Sequence, residues 1–445
     1  MKDIYRLQYH LMPDHGWVND PNGLIQSDGV YHICYQYSPD VLNGEKFWKE
    51  FTSTDLIHYK DEGIVLSPDH PRDSDGVYSG CCIKEGETFY YFYTGNVKHA
   101  GNYDYINAGR EHNTMLATST DGVHIDHKEV LLTNEDYPKN MSCHVRDPYV
   151  YQFKNTYYMA LGARTKDSIG CVLLYQASDL HHWHYLKTIT TSQPFGYMWE
   201  CPNYLTIDGD RFLVCCPQGL DTKGYDYEAI YQNGYFKVTG DLSETCSLSP
   251  FKELDHGFDF YAPQIFTDEK NRHVMLGWMG LPDVDYTNPT VASSWQHAMT
   301  MFRELTNRNG ELYQYPLSDY EALRKHQQLT HGTILDLDTR CFELQIQTLP
   351  TSFHLEVRGI TMDYNEGVFT LDMKDSGSGR KQMHIEAPAI NELSLFSDTS
   401  SLEIFINHGQ YALTTRIYET NEKIRFVSDQ AVDMTCYELD SIKII

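Results

Sequence analysis

The sequence predicts an all-β protein: a five-bladed β-propeller followed by a C-terminal β-sandwich. Three observations predict it. A turn signal leading into an aromatic or β-branched run recurs five times at roughly 60-residue spacing, the mark of a repeated four-stranded unit. A second motif, a polar turn leading into an alternating strand, accompanies it. Near residue 316 the repeat stops, and a series of short alternating segments begins.

The repeated strands are GVYHICYQYSP from 29, GETFYYFYTGN from 86, KNTYYMALGAR from 154, GDRFLVCCPQG from 209 and KNRHVMLGWMG from 270. They are separated by 57, 68, 55 and 61 residues, and each reads as a buried strand behind a Gly, Asn or Asp turn. The second motif is STDLIHYK at 53, STDGVHID at 119 and ASDLHHWH at 177. PLSDYEALRKHQQ reads as a linker with a helical turn. After it come CFELQIQT, SFHLEVRG, GVFTLDMKD, KQMHIEA, NELSLFSD, SLEIFINHG, YALTTRIYE and KIRFVSD, eight strands at sandwich spacing. The expected layout is a catalytic propeller over 1–316, a linker over 317–330 and a sandwich over 331–445.

Composition narrows the function. The 445 residues carry 35 Lys+Arg against 62 Asp+Glu, a net charge of −27 that argues against nucleic acid or an anionic membrane as partner. Thirty-four Tyr and six Trp, with large apolar faces and polar tips, suit a small-molecule sugar partner. The opening MKDIYRLQYHLMP has no apolar run of signal-peptide length, so a cytoplasmic protein is expected, and its 11 Cys read as buried free thiols. His181-His182-Trp183-His184 reads as a polar strand face instead of a metal site, and no metal or cofactor motif appears.

The chemistry concentrates just ahead of the repeated strands. Asp20, in Trp17-Val18-Asn19-Asp20-Pro21-Asn22-Gly23, lies nine residues before Gly29. Ser79, in Tyr78-Ser79-Gly80, lies seven before Gly86, and Asp147, in Arg146-Asp147-Pro148, seven before Lys154. Glu200, in Trp199-Glu200-Cys201-Pro202, lies nine before Gly209, and DFYAPQ at 259–264 holds the same place before the fifth repeat. Singly, Asn19–Gly23 reads as a turn and Arg146-Asp147 as a local ion pair. Together they fall on the first, innermost strand of each blade, where blades round one axis share a funnel. Converging carboxyls cost energy unless chemistry uses them. Glu200, between Trp199 and Cys201, has an apolar flank that suits a general acid. Three carboxyls among Tyr and Trp, with no nucleotide motif, point to glycosidic bond cleavage.

These motifs, in this order and over nearly the whole chain, resemble glycoside hydrolase family 32; DTSSLEIFINHG at 398–409 is similar to its C-terminal signature. GWMGLPDVDYTNP at 277–289 and HAMTMFRELTNRNGELYQYP at 297–316 look most like the bacterial sucrose-6-phosphate hydrolase branch. The resemblance implies a retaining β-fructofuranosidase acting on sucrose, its 6-phosphate or short fructo-oligosaccharides. By position it implies Asp20 as nucleophile, Glu200 as acid and then base, and Asp147 as transition-state stabiliser. Asn19, Gln36, Ser79 and Arg146 would grip the fructosyl unit. Trp17, Trp48, Tyr78, Tyr261 and Trp278 would form walls, and Cys201 would sit beside the acid.

The chain departs from the family pattern at Trp48-Lys49-Glu50, at Cys81 after Tyr78-Ser79-Gly80, and at Tyr149 after Arg146-Asp147-Pro148. All three departures are expected to surround the leaving sugar. A phosphorylated substrate would need a local cation, for which Lys46, Lys49 and Arg72 are candidates. The alternatives are an inverting arabinanase-like propeller and a catalytically inactive sugar-binding propeller.

Overall fold

The computed structural model describes residues 3–421 and 423–445. Among them the only helices are three short 3-10 turns, Pro289–Ser293, Ser318–Leu323 and Lys374–Gly377. Among the described residues no helix is long and apolar enough to cross a membrane. All 11 cysteines are free thiols.

Between Gly16 and Pro316 five antiparallel sheets follow one another. Their innermost strands are Gly16–Ser27, Val77–Glu85, Met141–Phe153, Met198–Ile207 and Tyr261–Thr267. Each touches the next, and the last returns to the first, closing a ring. This is a propeller arrangement. The repeated strands of the sequence are the second strand of each sheet, nearly continuously buried because both of their faces pack against neighbouring sheets.

The four-stranded unit expected from the repeat is bare only in the second and third sheets. The first sheet gains Trp295–Gln296 beside its innermost strand and Lys443–Ile444 beside its outermost, both parallel. The outer strand of the fourth is split into Cys246–Leu248 and Lys252–Glu253 around Pro250, which has no N–H to give a ladder. The fifth adds Ala298–Met299.

The polar-turn motif has one cause in all three copies. Asp55, Asp121 and Asp179 each accept two backbone N–H bonds from residues two and three positions on, the Asx turn that starts the next strand. His58, His124 and His182 each bond back to the same aspartate. The His181–His184 run is therefore part of a turn and the strand it starts: His182 closes the turn, His181 pairs with Glu129 at 2.8 Å, and Trp183 is buried. Among the described residues no cluster of His, Cys, Asp or Glu is arranged to hold a metal.

The C-terminal region is a sandwich-like sheet of ten strands. Inward-facing residues such as Phe342, Leu355, Phe369, Leu395 and Phe426 form one apolar core. Its longest strand, Ile424–Leu439, pairs through one half with Phe353–Val357 and through the other with Phe342–Gln347. The expected linker is not irregular. It contains the Ser318–Leu323 turn, and a 14-residue strand, Arg324–Leu337, already starts inside it. That strand's mostly polar, exposed residues carry little strand signal; its long pairing with Ile424–Leu439 holds it.

A buried charge network joins this sheet to the propeller. Arg303 reaches Asp255 at 2.9 Å within the propeller and donates to Glu403 of the sandwich. Arg380 forms a two-pronged pair with Asp259, both bonds 2.6 Å. All five side chains are fully buried.

Candidate active site

Each innermost strand breaks register where the sequence places a site residue. Register shifts fall between Val18 and Pro21, Tyr78 and Gly80, Glu200 and Asn203, and Tyr261 and Gln264; the third sheet shifts opposite Asp147-Pro148. These are β-bulges, which bend the strand and re-aim a side chain. Asp147, Cys201 and Ala262 take φ values of 60°, 48° and 47°, left-handed backbone that non-glycine residues seldom adopt. Pro148, Pro202 and Pro263 sit in the bulges and Pro21 at the edge of one, among the few places in a sheet where the missing N–H costs no ladder bond. The second sheet uses Gly80 instead, because a Cβ there would lie 1.9 Å from the Phe92 carbonyl oxygen. The position after three of these prolines supplies inter-sheet ties. Asn22 accepts the Gly80 N–H at 3.1 Å, Asn203 accepts that of Ile265 at 3.0 Å, and Gln264 accepts that of Leu24 at 2.8 Å.

The bulges turn their side chains into one polar cavity of about 590 Å³. Its lining includes Asp20, Asp147 and Glu200, from the first, third and fourth sheets. Asn19, Gln36, Ser79 and Arg146 line it as well, with Trp17, Tyr78, Tyr261 and Trp278 as aromatic walls.

The carboxyls are held differently. Asp20 accepts from Ser79 and, at 3.1 Å, from Asn19, whose amide also donates to Gln36. Burial raises the Asp20 pKa; the Ser79 and Asn19 hydrogen bonds oppose that rise, and Glu200 adds to it. Asp147 is buried at the ring's centre and pushed up to about 7, by burial first, with Arg146 pulling down and Glu200 and Asp20 pushing up. Glu200 lies in a cradle of donors. Arg146 Nε reaches Oε1 at 2.9 Å, while Gln218 and the Tyr261 hydroxyl reach Oε2 at 2.7 and 2.6 Å. Arg146 is fixed in turn by His144: Nε2 faces the Tyr105 carbonyl at 3.0 Å and Nδ1 accepts from the guanidinium. Burial, then the charge of Arg146, keeps that imidazole neutral.

One expected wall residue, Trp48, and Cys201, expected beside Glu200, lie elsewhere. Trp48 is 1% exposed and packs in the core between the first two sheets. It supports the wall from behind, donating to the Tyr78 carbonyl at 3.2 Å. Cys201 does not line the cavity or flank the acid: its N–H reaches Asp147 Oδ2 at 3.0 Å, and its sulfur lies 3.7 Å from Asp147 and 4.0 Å from Asp20. The bulge at Cys201 turns it toward the aspartates, and Trp199 is buried in the sheet core. The departures at Lys49, Glu50, Cys81 and Tyr149 lie outside the lining too. Lys49 pairs with Asp61 at 2.9 Å and Arg72 with Glu111 at 2.6 Å, leaving Lys46 as the one expected cation that lines the cavity.

Gln218, His144, Thr94 (which accepts the Asp147 N–H at 2.9 Å) and the Asn22–Asn203–Gln264 ties are not anticipated from sequence. Only the ties carry a readable signal: Pro-Asn, Pro-Asn and Pro-Gln recur at equivalent repeat positions.

Carboxyls brought from three sheets of a propeller into one sugar-sized, polar, aromatic-walled cavity define a glycosidase. The chain belongs to glycosyl hydrolase family 32: the model of that family's N-terminal domain matches residues 10–316 and that of its C-terminal domain residues 354–444. The sucrose-6-phosphate hydrolase of Bacillus subtilis (strain 168) is 34% identical over 94% of this chain and 89% of its own length. That of Staphylococcus xylosus is 35% identical over 93% and 87%. Among solved structures, the Lactobacillus gasseri sucrose-6-phosphate hydrolase superposes with a TM-score of 0.89 at 28% identity, over 99% of this chain and 94% of that one. A mutant Bombyx mori family 32 β-fructofuranosidase in complex with sucrose gives 0.86 at 26%, over 100% and 96%.

Proposed function

We propose that the protein is a retaining β-fructofuranosidase that releases terminal β-D-fructofuranosyl units from sucrose-type substrates, including sucrose 6-phosphate. We read each of its five sheets as one propeller blade, residues 1–316 as the catalytic unit and 331–445 as the sandwich. A phosphorylated sugar is confined to the cell interior, so a cytoplasmic enzyme goes with this reading.

One observation carries it. Three carboxyls share a cavity, yet their surroundings separate them by role. Asp20 accepts two neutral side-chain bonds that leave it free to attack the anomeric C2 as nucleophile. Glu200 sits among Arg146, Gln218 and Tyr261. It gives its proton to the leaving oxygen and then takes one from water, while the arginine fixes the carboxyl's orientation. Asp147, backed by the Cys201 N–H, grips fructosyl hydroxyls and steadies positive charge developing at the ring. The carboxyl cradle on Glu200 and the paired Asn19–Asp20 favour this over an inactive sugar-binding propeller.

Asp20→Ala and Glu200→Ala are each expected to lower kcat on sucrose by about 10³-fold or more, with unchanged circular dichroism. Near-normal turnover in either purified variant would remove the assignment. The first-formed fructose, followed by NMR during hydrolysis, should be the β-furanose; α-fructofuranose would instead establish inversion.

A further inference from the structure

The strands Thr88–Lys98 and Arg110–Ser119 of the second sheet are antiparallel neighbours, and Lys98 stands directly opposite Arg110. Like charges so placed repel each other and destabilise the pair. Neither is relieved by an ion pair with a carboxylate among the described residues, and Arg110 Nε is buried without a partner. Burial lowers the Lys98 pKa and the charge of Arg110 lowers it further, while burial and then the charge of Arg146 lower that of Arg110. Both line the mouth of the active-site cavity, in a molecule whose net charge is −27.

His112, two residues beyond Arg110, is on the same strand face and also lines the cavity. It is 1% exposed, and neither ring nitrogen has a hydrogen-bond partner. The other cations of the cavity are placed otherwise. Arg146 is held on Glu200, and Lys46 lies over the Trp17 ring at 5.2 Å, where the charge of Asp20 acts on it. Arg110 instead feels Tyr78 and Arg146, the arginine that is held on Glu200. The rim also carries Asp75, whose Oδ2 accepts the Lys98 backbone N–H at 2.9 Å, leaving the Lys98 ammonium free.

We infer that Lys98 and Arg110, with His112 behind them, clamp a phosphate monoester carried by the leaving sugar and so set substrate specificity. A phosphate dianion would cancel the repulsion between the two cations and would accept Arg110 in the paired geometry that guanidinium and phosphate share. The inference rests on the fructosidase reading of the same cavity. It adds that discrimination between free and phosphorylated sucrose resides in the second sheet.

The test compares the wild type with Lys98→Gln, Arg110→Gln and Arg110→Lys. Lys98 is exposed, so its variant keeps the test open if Arg110→Gln folds poorly. The wild type should favour sucrose 6-phosphate over sucrose in kcat/KM, and that ratio should fall about tenfold or more in each Gln variant, less in Arg110→Lys. An unchanged ratio, or a wild type without preference, overturns the clamp. Calorimetric titration with glucose 6-phosphate, glucose and inorganic phosphate provides a readout independent of turnover. Tighter binding of glucose 6-phosphate than of either other probe, weakened in both Gln variants, supports a phosphorylated sugar. Equal binding of inorganic phosphate would make the site a free-anion site and overturn the claim about the leaving group. A protein that cleaves neither sugar but binds glucose 6-phosphate through Arg110 would keep the clamp and remove the fructosidase reading. The reverse pattern would do the opposite.

Discussion

At the scale of single residues, the site works by giving similar side chains different neighbours. Asp20 and Asp147 are both raised by burial, but Asp20 is steadied by neutral donors and Asp147 by a cation and a backbone N–H. This sets the sign of a pH effect. If Asp20 is the nucleophile, as proposed, it must be ionised, so activity should fall as pH drops through its raised pKa, at higher pH than for an ordinary aspartate. Ser79→Ala removes a donor that favours the charged form; its acidic limb of kcat/KM against pH should therefore move upward. A limb that stays in place or moves down would show that the Ser79 bond does not act on the titrating group. The three acids, their immediate polar neighbours and most of the aromatic wall were legible because each stands in a short motif at a fixed repeat position. Gln218 and His144 were not: each is an isolated polar residue in a strand, and only their pairing with Glu200 and Arg146 gives them meaning.

At the scale of elements, the active machinery is built from bulges instead of loops. Five innermost strands interrupt their ladders at equivalent positions, and four of them mark the place with proline. The fifth, at Gly80, depends on the absence of a side chain. Gly80→Ala would push a methyl group into the Phe92 backbone, which cannot yield as a flexible side chain does. A loss of about 1–3 kcal/mol is expected, read as a lower denaturation midpoint. Activity should fall with it, because Ser79 is displaced from Asp20. An unaltered midpoint would show that the strand pair simply spreads. Turn signals placed the repeated strands and the polar turns of the second motif well, since both are local. They failed at Arg324–Leu337, whose partner lies about a hundred residues further on.

At the scale of the whole molecule, the sandwich is joined to the propeller through buried charge as well as backbone bonds. His10, from the segment preceding the first strand, contacts Asp398 at 2.8 Å and Glu403 at 2.9 Å, and Glu403 also holds Arg303. Burial lowers the His10 pKa, but the two carboxylate hydrogen bonds outweigh it and the net shift is upward. A histidine raised on folding contributes stability that is fully present below about pH 6.5 and lost as pH rises through its folded value. The urea midpoint should therefore decline from slightly acid to alkaline pH, and His10→Gln should flatten that decline. Parallel profiles in the two proteins would assign the decline to other groups. The same region also meets the site: Arg380 of the sandwich grips Asp259, two residues before Tyr261, whose hydroxyl holds Glu200.

By itself, the sequence determined the all-β class, the repeat, the change of architecture near residue 316 and the three carboxyls, because turn chemistry, strand periodicity and short motifs are written locally. Tertiary structure alone decided that Trp48 backs the wall without lining it, that Cys201 meets Asp20 and Asp147, and that Lys98 and Arg110 face one another at the cavity mouth. Which way a bulged strand turns a side chain, and which charge ends beside which, depend on register and on packing between sheets distant in sequence.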